Sequence, residues 1–383
     1  MAFFWEKWLS RIQLFVQNYP PQNRQFMAQI LPSPEISTAM RTYFLLLFAA
    51  FLTQNQLVAQ DFQRANFPLK NVDGTPFNMP WVGGFNSPEF SQADLNNDGI
   101  QDLVVFDKTG DRVTTFLNSG TSGQSSYTFA PEFIKNFPDS LRAWAILRDF
   151  NKDGAMDIFG SSNPDNNGVV VYRGYYDNNQ LKFKKISFKQ GGLPILYYIS
   201  FSNTLLNVFV AKDDVPEFVD VNGDGDLDLL TFNPGGGFVD YFENQSKEKN
   251  LGLDSILLKH VDACWMDFYE SGLTKESKLS GTTDTCAYLF KGNEEVEVRD
   301  GLHAGSTLCA FDQDGDGDIE LVTGDITWKN MVFYKNCGTK TNAWACEQDA
   351  MFPMYDVSVD IDIFPAGFYL DLDNDGRRDF IAA

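Results

Sequence analysis

The nine residues D-V-N-G-D-G-D-L-D, from Asp220 to Asp228, decide how the rest of the chain is read. Oxygen-bearing side chains stand at positions 1, 3, 5 and 9, and a glycine at position 6 lets the backbone turn sharply. The same punctuation recurs four more times, as D-L-N-N-D-G-I-Q-D (Asp94 to Asp102), D-F-N-K-D-G-A-M-D (Asp149 to Asp157), D-Q-D-G-D-G-D-I-E (Asp312 to Glu320) and D-L-D-N-D-G-R-R-D (Asp371 to Asp379). A single match to D-x-D/N-x-D-G-x-x-D/E is within reach of ordinary turn chemistry, which favours Asp and Gly. Five in register mark an internal repeat.

The spacing predicts that each stretch wraps one hard cation, with side chains at positions 1, 3, 5 and 9 and the backbone carbonyl of position 7 as ligands. The first loop then offers Asp94, Asn96, Asp98, the Ile100 carbonyl and Asp102. The second offers Asp149, Asn151, Asp153, the Ala155 carbonyl and Asp157, and the third Asp220, Asn222, Asp224, the Asp226 carbonyl and Asp228. The fourth offers Asp312, Asp314, Asp316, the Asp318 carbonyl and Glu320, and the fifth Asp371, Asp373, Asp375, the Arg377 carbonyl and Asp379. Oxygen donors without imidazole or thiolate point to calcium, at about five sites, because its loose, high coordination suits such loops better than the strict octahedron of magnesium.

An EF-hand is excluded. That motif needs flanking helices and a bidentate Glu at position 12, which here is Val105, Gly160, Thr231, Thr323 and Ala382. Each loop instead leads into a short apolar run, such as L-V-V-F or L-L-T-F, and follows another, such as P-E-F-S-Q-A, P-E-F-V or S-T-L-C-A-F. The order is strand, metal loop, strand.

On these residues the chain resembles the FG-GAP/VCBS repeat family, the blades of integrin-α-like β-propellers and of many secreted bacterial proteins. The resemblance covers about residues 80–383 and implies an all-β propeller of four-stranded antiparallel blades, with the calcium loop joining the first two strands of each. The sequence departs from the integrin form in lacking a clear F-G cage before each loop, coming closest at Gly84-Phe85 and Gly367-Phe368.

Successive loops begin at residues 94, 149, 220, 312 and 371. The shorter intervals suit one four-stranded blade each. The longer ones are read as carrying insertions near 193–211 and 262–300, where partner specificity is expected. Because the chain stops just after the fifth loop, the reading is a ring truncated here and seven-bladed when intact, with a five-bladed ring as the alternative.

Thirty Lys and Arg stand against 52 Asp and Glu, for a formal net charge of -22. Such a surface repels nucleic acid and attracts divalent cations. Met40-Arg41-Thr42 followed by the apolar run Tyr43 to Leu52 reads as a secretory signal, placing a signal peptide at 40–59 after an extension or misassigned start at 1–39. Residues 60–383 then form the mature propeller, without a transmembrane span, in an extracellular or cell-surface location. Of five cysteines, Cys264 with Cys286 and Cys337 with Cys346 are candidate disulfides, and Cys309, within S-T-L-C-A-F, reads as a buried free thiol.

Two histidines, His260 and His303, lack a nucleophile-elbow or metalloprotease context and read as structural. No catalytic residue is assigned. The function expected is an adhesion or recognition scaffold for an extracellular protein or glycan. The alternative is a carbohydrate-active enzyme similar to propeller polysaccharide lyases, which would draw on the aromatic-rich insertions and His260 or His303.

Overall fold

Each acidic loop is flanked by apolar runs, and each joins two antiparallel strands. The computed structural model describes residues 67–383 apart from 78, 163–166, 189–191, 271–273 and 288–305. The segments read as an extension and a signal peptide, His303 and the end of the region read as a second insertion lie outside the described residues. Pro68–Ala383 form one compact unit.

The first blade holds β1 (Pro88–Ala93), β2 (Asp102–Asp107), β3 (Arg112–Asn118) and β4 (Tyr127–Phe129), and the second holds β5 (Ala145–Arg148), β6 (Asp157–Ser161), β7 (Val169–Asp177) and β8 (Gln180–Lys185). A hairpin of β9 (Tyr197–Ile199) and β10 (Leu205–Asn207) precedes the third blade, β11 (Glu217–Val219), β12 (Asp228–Phe232), β13 (Val239–Asn244) and β14 (Leu258–Asp262). After the short pair β15 (Phe268–Tyr269) and β16 (Lys278–Leu279) come the fourth blade, β17 (Ser306–Phe311), β18 (Glu320–Asp325), β19 (Met331–Asn336) and β20 (Ala345–Phe352), and a two-stranded sheet, β21 (Gly367–Leu370) and β22 (Asp379–Ala382). The protein is an all-β propeller of four four-stranded blades. The nine-residue loops join β1 to β2, β5 to β6, β11 to β12, β17 to β18 and β21 to β22.

The middle strands are apolar on both faces because each blade is sandwiched between two others. Along β6, Ile158 enters the core shared with the first blade while Phe159 enters the core shared with the third. Leu229 and Leu230 of β12 divide in the same way between second and fourth blades, and Leu321 and Val322 of β18 between the third blade and the β21–β22 sheet. Alternation with period two therefore feeds two separate cores from one strand. Each such side chain contributes about 1.5–3 kcal/mol on burial.

The first strands of the sheets meet around an axis. β1 lies against β5 on one side and β21 on the other, and β17 lies against β11 and β21. Arg148 of β5 donates to Glu217 of β11 at 2.6 Å and to the Phe218 carbonyl at 3.3 Å. The rings of Phe90 and Phe368 meet edge-on at 5.5 Å, and Gln92 Nε2 donates to the Asp371 carbonyl at 2.6 Å. Thus the ring, read from sequence as seven-bladed when intact, here closes through four blades and the two-stranded sheet.

Both regions read as insertions are tied to the third blade. β9 pairs in parallel with β14, so that β9 and β10 widen this blade to six strands. In the second region, Trp265, Met266 and Phe268 are buried in the core between third and fourth blades rather than carried on a surface loop. Disulfides join Cys264 to Cys286 and Cys337 to Cys346, with Cα separations of 5.9 and 5.8 Å, and Cys309 is a buried free thiol.

Candidate metal centres

The five loops share one backbone design. The position-6 glycines, Gly99, Gly154, Gly225, Gly317 and Gly376, all have φ between +85° and +95°, a region that a Cβ would strain. The position-7 N–H donates to the position-5 carboxylate in every loop, over 2.8–3.0 Å (Ile100 to Asp98, Ala155 to Asp153, Asp226 to Asp224, Asp318 to Asp316, Arg377 to Asp375). The position-5 N–H donates in turn to the side chain at position 3, which is Asn96, Asn151, Asn222, Asp314 or Asp373. These bonds turn the side chains of positions 3 and 5 toward the inside of the loop.

Position 9 clamps the loop to its blade. Its carboxylate accepts the N–H of position 2 in all five copies, from Leu95, Phe150, Val221, Gln313 and Leu372. In the first three blades its other oxygen accepts an N–H from the third strand, that of Asn118, Gly174 or Asn244, at 2.7–2.8 Å. Burial pushes these carboxyls up, Asp102 to about 6, Asp157 to about 7 and Asp228 to about 8; Glu320 rises to about 7 for the same reason. Asp226 and Asp318, at position 7, are raised by burial and by the neighbouring acids. Such crowding favours any cation that can share the negative charge.

The donor sets differ between loops. One carboxylate oxygen each from Asp312, Asp314 and Asp316 come within 4.8 Å of one another in the fourth loop, as do those of Asp371, Asp373 and Asp379 in the fifth. The third loop contributes Asp224 and Asp226 to such a group, with Glu248 from outside the nine residues as its third member. Among the described residues, Glu320 Oε1 and Asp371 Oδ1, at ligand positions, have no hydrogen-bond partner, and neither do the position-7 side-chain oxygens Asp226 Oδ1 and Asp318 Oδ1; buried carboxylate oxygens of this kind fit a hard cation better than a neutral donor. In the first two loops no three carboxylates meet in this way among the described residues. Asn96 Nδ2 and Asn151 Nδ2 donate to Asp98 and Asp153 at 2.8 and 2.9 Å. The second loop also faces an arginine: Arg173 of β7 lies 3.1 Å from Asp153 Oδ2 and 2.9 Å from Asp254 Oδ1.

Glu248, Arg173 and Asp254 are the residues that sequence reasoning missed. They come from strands and turns far along the chain from the loops they meet, and no spacing in the nine-residue pattern points to them.

His260 Nε2 lies 3.1 Å from Asp240 Oδ1, and its ring stacks on Phe242 at 4.6 Å. Where the first strands meet, Phe90, Ile146, Leu308 and Phe368 line a small space beside Arg148 and Glu217. A polar cleft in the fourth blade is lined by Ser277, Thr323, Trp328 and Asn330 together with Glu270 and Asp325.

Comparison with known proteins agrees with the loops. Residues 94–160 match the FG-GAP-like repeat, and residues 217–247 match the FG-GAP repeat. A search of curated proteins finds no match.

Proposed function

We propose that this FG-GAP repeat chain is a calcium-stabilised recognition scaffold of the extracellular space or the cell surface, meeting a protein or glycan through elements that project from its blades. FG-GAP repeats in a β-propeller fit a recognition or adhesion scaffold, and the family is typically non-catalytic. The observation that carries the calcium reading is the pair of partnerless buried oxygens at ligand positions, Glu320 Oε1 and Asp371 Oδ1, inside loops whose glycines already hold the turn. Two disulfides support an oxidising compartment. Among the described residues no helix is long and apolar enough to cross a membrane.

For the partner, support comes from the elements attached to the third blade. Leu193, Phe201, Leu205 and Leu206 expose large apolar side chains on and beside the β9–β10 hairpin, Phe201 to 62%. A cluster of this kind marks a contact surface more often than a bare turn.

Thermal unfolding with and without chelator tests the metal part. An ion at 100 times its dissociation constant adds about 2.7 kcal/mol per site. With several sites filled, chelation should lower the melting temperature by roughly 10 °C or more. Calcium should restore it and magnesium should not. An unchanged melting curve overturns the calcium reading.

A further inference from the structure

The third loop carries a carboxylate that its own ion does not need. Position 7 serves such a loop through its carbonyl, and in the first, second and fifth loops the side chain there is Ile100, Ala155 or Arg377. In the third loop it is Asp226, 4% exposed, whose Oδ1 has no hydrogen-bond partner and whose Oδ2 accepts the Lys247 N–H at 3.3 Å. An oxygen of Asp226 lies within 4.8 Å of oxygens of Asp224 and of the exposed Glu248, in the turn after β13. Asp220 and Asp228, the first and last members of the loop, are not in this group. Asp220 accepts the Gly223 N–H, and both oxygens of Asp228 accept donors from Val221, Asn244 and Tyr241.

We propose that Asp224, Asp226 and Glu248 form a second divalent-cation site beside the third loop, with Asp224 shared between the two ions. Three carboxylates this close, one of them buried, repel one another unless a cation stands among them. Of the two ammonium groups beside Gly225, those of Lys247 and Lys152, the first is engaged with the Asp224 backbone carbonyl. Oxygen-only ligation with one solvent-exposed arm suits calcium, which accepts water in its remaining positions. The fourth loop supplies the contrast: it also has an aspartate at position 7, Asp318, but its convergent group is its own Asp312, Asp314 and Asp316, and among the described residues no outside acid joins it. The inference rests on the same hard-cation chemistry as the loop reading, and its test separates the two.

The test is equilibrium dialysis of the full chain against calcium, with bound ions counted by atomic emission, for wild type, Glu248→Gln, Asp226→Asn and Asp220→Asn. Glu248→Gln and Asp226→Asn should each bind one ion fewer than wild type. Their double variant should lose no more than one, because both belong to one site. Asp220→Asn should lose a different ion, so that combined with Glu248→Gln it binds two fewer. Glu248 is exposed, so its substitution leaves the fold intact, and a matching circular dichroism spectrum checks this. If Glu248→Gln and Asp226→Asn keep the wild-type count, with or without a change in affinity, the second site is refuted while the loop reading stands. Loss in those two variants with an unchanged count in Asp220→Asn supports the second site and refutes the loop ion. A wild type that binds no calcium refutes both.

Discussion

Glu89 shows how a single residue of the repeat is used twice over. It stands in the P-E-F of β1, 1% exposed, with Oε2 accepting the Ala145 N–H of the next blade at 2.8 Å and Lys108 Nζ 3.6 Å from Oε1. Burial pushes its carboxyl up to about 7, against the pull of Lys108 and the Ala145 N–H. The native state therefore holds a proton that the unfolded chain has released once the pH exceeds about 4.5. Stability contributed by this group is fully present below that pH, declines as pH rises toward 7, and is constant above it. The span corresponds to about 3 kcal/mol. Urea denaturation between pH 4 and 8 should show a steeper decline in wild type than in Glu89→Gln, which lacks this contribution and leaves the loop carboxylates common to both profiles. Parallel profiles for the two proteins would mean that Glu89 titrates alike in the native and unfolded chains. The P-E-F triplets were legible as strands before loops, because Pro, an acid and an aromatic start an edge well. That Glu89 reaches the next blade, and Glu217 takes Arg148 of the preceding one, was not legible, since a strand pattern fixes which face a side chain takes but not which sheet stands opposite.

At the scale of an element, loop and third strand form one unit, and this is where sequence reading ran out unevenly. The five acidic loops and the strands beside them could be placed to within a residue or two: S-T-L-C-A-F is β17 and P-E-F-S-Q-A is β1. The Asp, Gly and apolar residues there are demanded by local backbone geometry. Trp265 to Phe268 were read as part of a surface insertion and are core, because distance between repeats says only that residues are extra, not that they are exposed. The segment Y-T-F-A-P-E-F divides, with β4 ending at Phe129 and Pro131–Asn136 turning as a 3-10 helix; Pro131 supplies no N–H to a ladder and suits the first turn of a helix. Gly174 in β7 tests the loop–strand unit. Its N–H donates to Asp157 at 2.7 Å, and a Cβ there would overlap the Met156 carbonyl oxygen of the loop. Gly174→Ala must push strand and loop apart, at a cost of about 1–3 kcal/mol from overpacking, with the lost clamp in addition. Gly281→Ala, where an added Cβ meets nothing within 4 Å, should stay within about 0.5 kcal/mol of wild type. Equal urea midpoints for the two variants would show that loop and strand yield independently.

Across the whole molecule, stability depends on a closure that no local pattern could announce. The loop count says how many sheets begin, whereas which sheets touch is set by the cores between them. The last of these is small: Ala366, Phe368 and Leu370 of the two-stranded end meet Phe90 and Leu103 of the first blade. Polar contacts reinforce it. Gln124 donates its N–H to the Asp373 carbonyl at 2.8 Å, Tyr127 its hydroxyl to the Leu372 carbonyl at 3.1 Å, and Asn118 Nδ2 to Asn374 Oδ1 at 2.8 Å, so the fifth acidic loop is itself part of the seam. In an open array, each blade would depend on its immediate sequence neighbours alone, and damage at the end would stay there. In a closed ring it must reach β1, more than 270 residues earlier. Phe368→Ala removes the ring that meets Phe90 and should cost about 3–5 kcal/mol if the seam cannot collapse. Hydrogen exchange followed by mass spectrometry distinguishes the cases. Closure through this seam predicts that amides of β1 and β21 lose protection together, while those of β6 and β12 keep theirs until global unfolding. Loss confined to β21 and β22 would mean that the first blade stands without the last sheet. The proposed calcium site sharpens the comparison, because an ion held by Asp371, Asp373 and Asp379 would stiffen one side of the seam. Chelation alone should then reproduce part of the Phe368→Ala pattern, with exchange rising at Tyr127 and Gln124, which are bonded to that loop although they belong to the first blade.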